Sequence, residues 1–162
     1  MYFGNYEHSL DDKGRLLIPS KLREGLKADS SLYILKGFEG CLSVYNESEF
    51  LKLTKECESI SFNKKNSRDY LRLVLSSVVE LSIDKVGRIQ LPSQTLNKFN
   101  IKKEVVIIGV GDHFEIWDLK KFNEYQSEAN ERFEEIAESL EKDNGWDPCA
   151  CTSTRSNWRT KC

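Results

Sequence analysis

Residues 10–20 read LDDKGRLLIPS, and residues 83–93 read IDKVGRIQLPS. Both follow one frame, Asp-x-x-Gly-Arg-(Leu/Ile)-x-(Ile/Leu)-Pro-Ser, displaced by 73 positions, so that Asp11 pairs with Asp84, Gly14 with Gly87, Arg15 with Arg88 and Pro19 with Pro92. A second pair of blocks follows at a displacement of 72, LYILKGFEGCLSVYNESEF (32–50) and EVVIIGVGDHFEIWDLKKF (104–122). There Gly37 meets Gly109, Tyr45 meets Trp117 and Phe50 meets Phe122. Two matched blocks in the same order mark a tandem duplication of a unit of about 70 residues.

Each unit has the same coarse pattern. An alternating strand (residues 6–10 and 79–83) leads into a turn built on Asp and Gly, and a second strand follows (residues 15–18 and 88–91). The Gly sits where a short hairpin loop needs positive φ. Proline ends the second strand and opens a short helix near residues 20–26 and 93–99. Two further strands come next, near residues 32–35 with 42–45 and 105–108 with 114–117. Each unit closes with a helix. The first starts at Asn46, with Glu49 placed for a capping box. The second starts after Asp118 and is read as one long helix, because Phe122, Tyr125, Ala129, Phe133, Ile136 and Leu140 recur every three to four residues. The organisation expected is a first unit over 1–60, a connecting helical segment over 61–77 and a second unit over 78–142.

The chain has 162 residues and 18.7 kDa, with 39% hydrophobic and 31% charged residues, a globular composition rather than a disordered one. It contains no apolar run long enough for a membrane-spanning helix, and its start, MYFGNYEHSL, lacks the basic and apolar regions of a secretory signal. A cytoplasmic, nucleoid-associated location is expected. The net charge of −2 argues at first sight against a nucleic-acid partner. That balance is local, however: residues 120–145 hold eight Asp/Glu against four Lys/Arg, which leaves the remainder of the chain at +2. Residues 51–72 carry six basic against three acidic side chains.

Five cysteines stand at positions 41, 57, 149, 151 and 162. Cys149 and Cys151 have no second CxxC or His nearby, so no metal site is expected. Cys41 and Cys57 read as small buried apolar residues. The final stretch over 143–162, including GWDPCACTSTRSNWRTKC, lacks hydrophobic period and reads as a non-native or disordered tail.

The duplicated Asp-x-x-x-Arg motif followed by Pro, together with the EIWDLKKF block, resembles the MraZ family. The resemblance spans about residues 1–142 and rests on DDKGRLLIPSKLRE and DKVGRIQLPS. It implies an α+β fold of tandem AbrB/MraZ-like swapped-hairpin β-barrel units with flanking helices. It also implies a transcriptional regulator of the division and cell-wall gene cluster, ring-shaped homo-oligomers, and repeated DNA boxes upstream of the family's own gene. The second unit departs from the first where SQTLNKF after Pro92 lacks a basic residue matching Arg23, and its turn reads Val86-Gly87-Arg88 against Lys13-Gly14-Arg15.

The residues themselves support parts of this. Asp11 and Asp84 are read as structural turn residues that accept bonds from turn amides. Arg15 and Arg88 are the principal DNA-contact candidates, because a guanidinium held at a turn can fork onto guanine or phosphate. Lys13 and Lys85 at the turn tips, beside Gly14 and Gly87, are read as phosphate contacts. Lys21 and Arg23 are weaker candidates that a solvated helix face explains almost as well. His8 and His113 lie in strand patterns, and Gly109-Val110-Gly111 reads as a turn. No Ser-His-Asp order, phosphate-binding loop or metalloprotease motif occurs. The chain is therefore expected to be no enzyme and to need no cofactor or small-molecule substrate. The second reading is a swapped-hairpin antitoxin-like protein that acts by binding a protein partner.

Overall fold

A computed structural model describes residues 1–24, 26 and 29–144. The stretch 145–162, most of the expected tail, lies outside the described residues. Residues Met1–Phe122 form one compact body, and a second begins at Asn123.

The first repeat contributes β1 (Tyr2–Ser9), β2 (Arg15–Leu17), a 3-10 turn (Ser20–Arg23), β3 (Ser31–Lys36), β4 (Leu42–Asn46) and α1 (Glu47–Ser59). After α2 (Lys65–Leu75), the second repeat contributes β5 (Val79–Ser82), β6 (Arg88–Gln90), α3 (Ser93–Lys98), β7 (Glu104–Gly111), β8 (Phe114–Asp118) and α4 (Leu119–Glu131). α5 (Phe133–Asn144) follows. Pro19 and Pro92 take extended φ/ψ immediately before the 3-10 turn and α3, as their missing N–H allows. At α1 the Asn46 side chain accepts from the Glu49 amide at 2.9 Å. Glu49 turns its own carboxylate to Lys52 at 2.7 Å.

The strands pair across the duplication. The main sheet has six strands in the order β1-β7-β8-β4-β3-β5. The hairpins β3–β4 and β7–β8 each stay within a repeat and meet at the centre, where Leu42 opposes Ile116 and Val44 opposes Phe114. The first strand of each repeat is donated to the other: β1 lies along β7, with Tyr6 opposite Ile107, and β5 lies along β3, with Leu32 opposite Leu81. The short strands β2 and β6 pair only with each other, in a separate two-stranded ribbon. The duplication is thus an exchange of strands, and neither repeat could complete its own ladder alone.

Two expectations change here. The strand-exchanged α+β fold is present, but the six-stranded sheet is open among the described residues and no closed barrel forms. The Asp-x-x-Gly segments are also not hairpins in the ladder sense, since β1 does not pair with β2. The local pattern cannot distinguish a strand that folds back from one that crosses to a distant partner.

The core lies between the sheet and the ribbon. Leu16, Ile18, Ile89 and Leu91 cluster with Leu32, Ile34, Val105, Ile107, Phe114 and Ile116, all essentially without solvent exposure. Leu16 opposes Ile89 at the centre of the ribbon, so the ribbon is pinned to the core by its underside. Trp117 and Phe122 meet edge to face at 5.6 Å beside Val106 and Cys41. Burial pushes the Cys41 thiol up from its ordinary range.

Three smaller expectations also differ. Gly109 and Gly111 end β7 rather than forming a turn, while His113 sits in the bend before β8, stacked on Tyr45 at 4.4 Å. The single long C-terminal helix is broken at Arg132, whose amide bonds Ala129 three residues back at 3.1 Å. No Pro or Gly marks that break, so periodicity passes through it unaltered. Among the described residues, no helix is long and apolar enough to cross a membrane.

Candidate nucleic-acid interface

The two Asp-x-x-Gly-Arg turns are built alike, atom for atom. In the first, the Asp11 carboxylate accepts from the Lys13 amide at 2.9 Å, the Arg15 amide at 2.8 Å and Arg15 Nε at 2.6 Å. In the second, Asp84 accepts from the Val86 amide, the Arg88 amide and Arg88 Nε at 2.9, 2.9 and 2.8 Å. Backbone bonds close each loop, Gly14 to Asp11 and Gly87 to Asp84, both at 2.9 Å. The glycines take φ of 73° and 93°, the left-handed region the sequence pattern demanded. A Cβ on Gly87 would collide with the Arg23 guanidinium, and one on Gly14 would stand 3.3 Å from the Leu91 carbonyl.

Both aspartates are held below the usual carboxylate range. The largest cause is the backbone N–H of the arginine four residues on; partial burial opposes it, and the guanidinium and the second turn amide reinforce it. A depressed folded-state pKa means that the turn gains stability at pH above the unfolded value of 3.8. That gain disappears as pH falls through the folded value. We expect the urea midpoint to be level above about pH 5 and to drop below about pH 4. Asp11→Asn with Asp84→Asn should lower the neutral-pH midpoint and flatten the acid limb. An acid limb unchanged in the double variant would contradict this role.

The turns share the ribbon between them. Arg15 faces Gln90 across the ladder, Leu17 faces Arg88, and the buried Leu16–Ile89 pair separates them. Cross-strand partners lie on one face and alternate residues on opposite faces. The outer face therefore presents Arg15, Gln90, Leu17 and Arg88 together. Each arginine keeps about a third of its side chain in solvent, 32% for Arg15 and 31% for Arg88. Nε binds the aspartate, which aims the terminal Nη groups along a fixed direction at little further entropic cost. Such a face has the geometry to grip a planar, acceptor-rich edge.

The remaining candidates are placed unequally. Lys13 is exposed beside Gly14. Lys85 is exposed as well, but its counterpart in the first turn is Asp12, and the position matching Lys13 is Val86. Lys21 is exposed on the 3-10 turn, in a hollow it shares with Tyr2, Glu24, Asn46 and Gly111 rather than with the ribbon. Arg23 is half-buried: its Nε donates to the Ile18 carbonyl at 2.8 Å and its guanidinium lies over Gly87. A first-repeat cation thus sits at the base of the second-repeat turn, while Leu96 takes the matching place near Gly14. Gln90 went unrecognised in the sequence. Its Nε2 donates to the Lys13 carbonyl, and the signal available was its alignment with Leu17 at the repeat displacement.

Comparison with known proteins places this architecture. The family described as "MraZ protein, putative antitoxin-like" matches twice, over residues 1–73 and 74–144. A protein of Mesoplasma florum named "Transcriptional regulator MraZ" is 44% identical over 140 residues, which cover 86% of this chain and 95% of the relative. One of the same name from Mycoplasmoides gallisepticum is 39% identical over 144 residues, 89% of this chain and 100% of the relative. Another, from Spiroplasma kunkelii, is 45% identical over 139 residues, covering 86% and 96%.

Proposed function

The chain belongs to the MraZ family, and from that membership we propose that it is a sequence-specific DNA-binding transcriptional regulator that reads DNA with the β2–β6 ribbon. The observation that carries the reading is the placement of Arg15 and Arg88 on one outward face, each oriented by its own aspartate. A two-stranded ribbon fits the major groove, where arginine forks onto guanine O6 and N7. Lys13 and Lys85 at the turns supply phosphate contacts that set register, and Lys21 and Arg23 on the 3-10 turn add to them. Gly14 and Gly87 give the turns the positive φ that sets the arginines in place for DNA, with Asp11 and Asp84 as structural supports.

The target proposed is a set of repeated boxes upstream of the protein's own gene, within the division and cell-wall gene cluster. The protein engages them as a ring-shaped homo-oligomer in the nucleoid. The organisation into a unit over 1–60, a connector over 61–77 and a unit over 78–142 belongs to the same proposal. No catalytic step is assigned to the chain.

The test is a gel-shift titration with the DNA immediately upstream of the gene, run as a salt series. A protein of net charge −2 binds DNA only through local positive charge, so affinity should fall steeply with salt, with a log–log slope of about −0.9 per phosphate neutralised. Lys13→Ala and Lys85→Ala should each reduce that slope by about 1 without changing which sequence is preferred. A flat salt dependence would contradict the reading and favour a protein partner instead.

A further inference from the structure

The two ends of the ribbon are related by the repeat but differ in chemistry. At one end the tip residue is Lys13, whose carbonyl accepts from the side chain of Gln90 on the opposing strand. At the other end the equivalent positions are Val86 and Leu17. Both positions change from polar to apolar together. The Ile18 amide bonds the Gly87 carbonyl at 3.0 Å, as the Leu91 amide bonds that of Gly14 at 3.0 Å, so Leu17 stands beside the Val86 turn as Gln90 stands beside the Lys13 turn. Val86 is 60% exposed and Leu17 40%, next to Arg88 on the outer face. Neither side chain belongs to the core that Leu16 and Ile89 fill.

We propose that Leu17 and Val86 form a specificity contact for the 5-methyl group of thymine, which fixes the direction in which the ribbon reads its site. The inference rests on the ribbon being the DNA-reading element. In the major groove, thymine presents its methyl group beside the O4 acceptor, and apolar side chains distinguish it there. Arg88 occupies a neighbouring base step through its guanidinium, so a guanine lies next to the thymine. The opposite end has no apolar surface for a methyl group: there the Gln90 amide meets base acceptors and donors, while Lys13 stays on phosphate. A strand-exchanged ribbon with two identical ends would read both orientations equally. This one does not.

The experiment compares the upstream DNA with a copy in which every thymine is replaced by deoxyuridine, which removes the methyl group and little else. Wild-type protein should lose about fourfold in affinity for each methyl group engaged. Leu17→Ala and Val86→Ala should each bind the thymine DNA more weakly and show a smaller deoxyuridine penalty than wild type, since each removes part of the apolar contact. Val86→Ile should retain the full thymine preference, which a mere folding defect in the turn would not allow. An equal deoxyuridine penalty in wild type and both alanine variants overturns the proposal. So does an effect of these variants on sedimentation rather than on thymine dependence, which would make the pair a subunit contact. If wild-type protein does not prefer the upstream DNA to unrelated DNA, the ribbon reading itself fails, an outcome distinct from an equal penalty.

Discussion

Arg15→Ala and Arg88→Ala are each expected to abolish specific binding of the upstream DNA while leaving thermal unfolding close to that of the parent protein. Loss of one bidentate base contact costs about 1–3 kcal/mol, roughly 5- to 150-fold in affinity. In an oligomer the loss recurs at every subunit that engages a box. Folding should tolerate the change, because Asp11 and Asp84 remain 36% and 38% solvent-exposed and keep two turn amides each. Arg15→Lys sharpens the test, since it retains charge and loses the planar fork. It should bind DNA with the parent's salt slope but with little sequence preference. Variants that shift the upstream DNA at parental concentrations would show that the arginines serve only the turns.

The number and phasing of boxes should have a larger effect still. One ribbon offers few base contacts, too small a footprint for tight specific binding by itself. A closed ring repeats the ribbon at fixed spacing. Each further box then binds as an intramolecular event, which raises avidity by about 10²–10⁴. Fragments carrying one, two and three boxes should therefore separate widely in a titration. Insertion of roughly five base pairs between boxes rotates alternate boxes to the far side of the duplex and should undo most of the gain. Equal affinity for all four fragments would eliminate the ring-and-repeat mechanism.

The turns were legible in the sequence because their chemistry is local. Asp accepts amides two and four residues on, Gly alone takes φ of 73° or 93° without strain, and Pro stops the short strand beyond them. The duplication was legible because both copies keep that chemistry. The exchange of β1 and β5 between repeats was expected only through the family resemblance, because an alternating strand specifies which face it buries but not which neighbour it pairs with. The same limit hid the ribbon: Arg15 and Arg88 stand 73 positions apart, and only the β2–β6 pairing brings them onto one face. Gln90 and Leu17 escaped notice for a related reason. Each is unremarkable by type, and each acquires meaning only from the residue facing it. Arg23 reads as a cation on a short helix, whereas the fold lays it over the other repeat's glycine.

Photo-crosslinking tests the central claim, that the ribbon is the DNA-reading face, most directly. A photoreactive side chain is placed at Lys13 or at Val86, at the two ribbon ends, and in control proteins at Lys65 on α2 or Glu138 on α5. On irradiation with upstream DNA, the two ribbon proteins should give covalent adducts that excess unlabelled upstream DNA suppresses and unrelated DNA does not. The control proteins should give none. Adducts from Lys65 with none from Lys13 or Val86 would move the interface to the basic connecting helix and contradict the account.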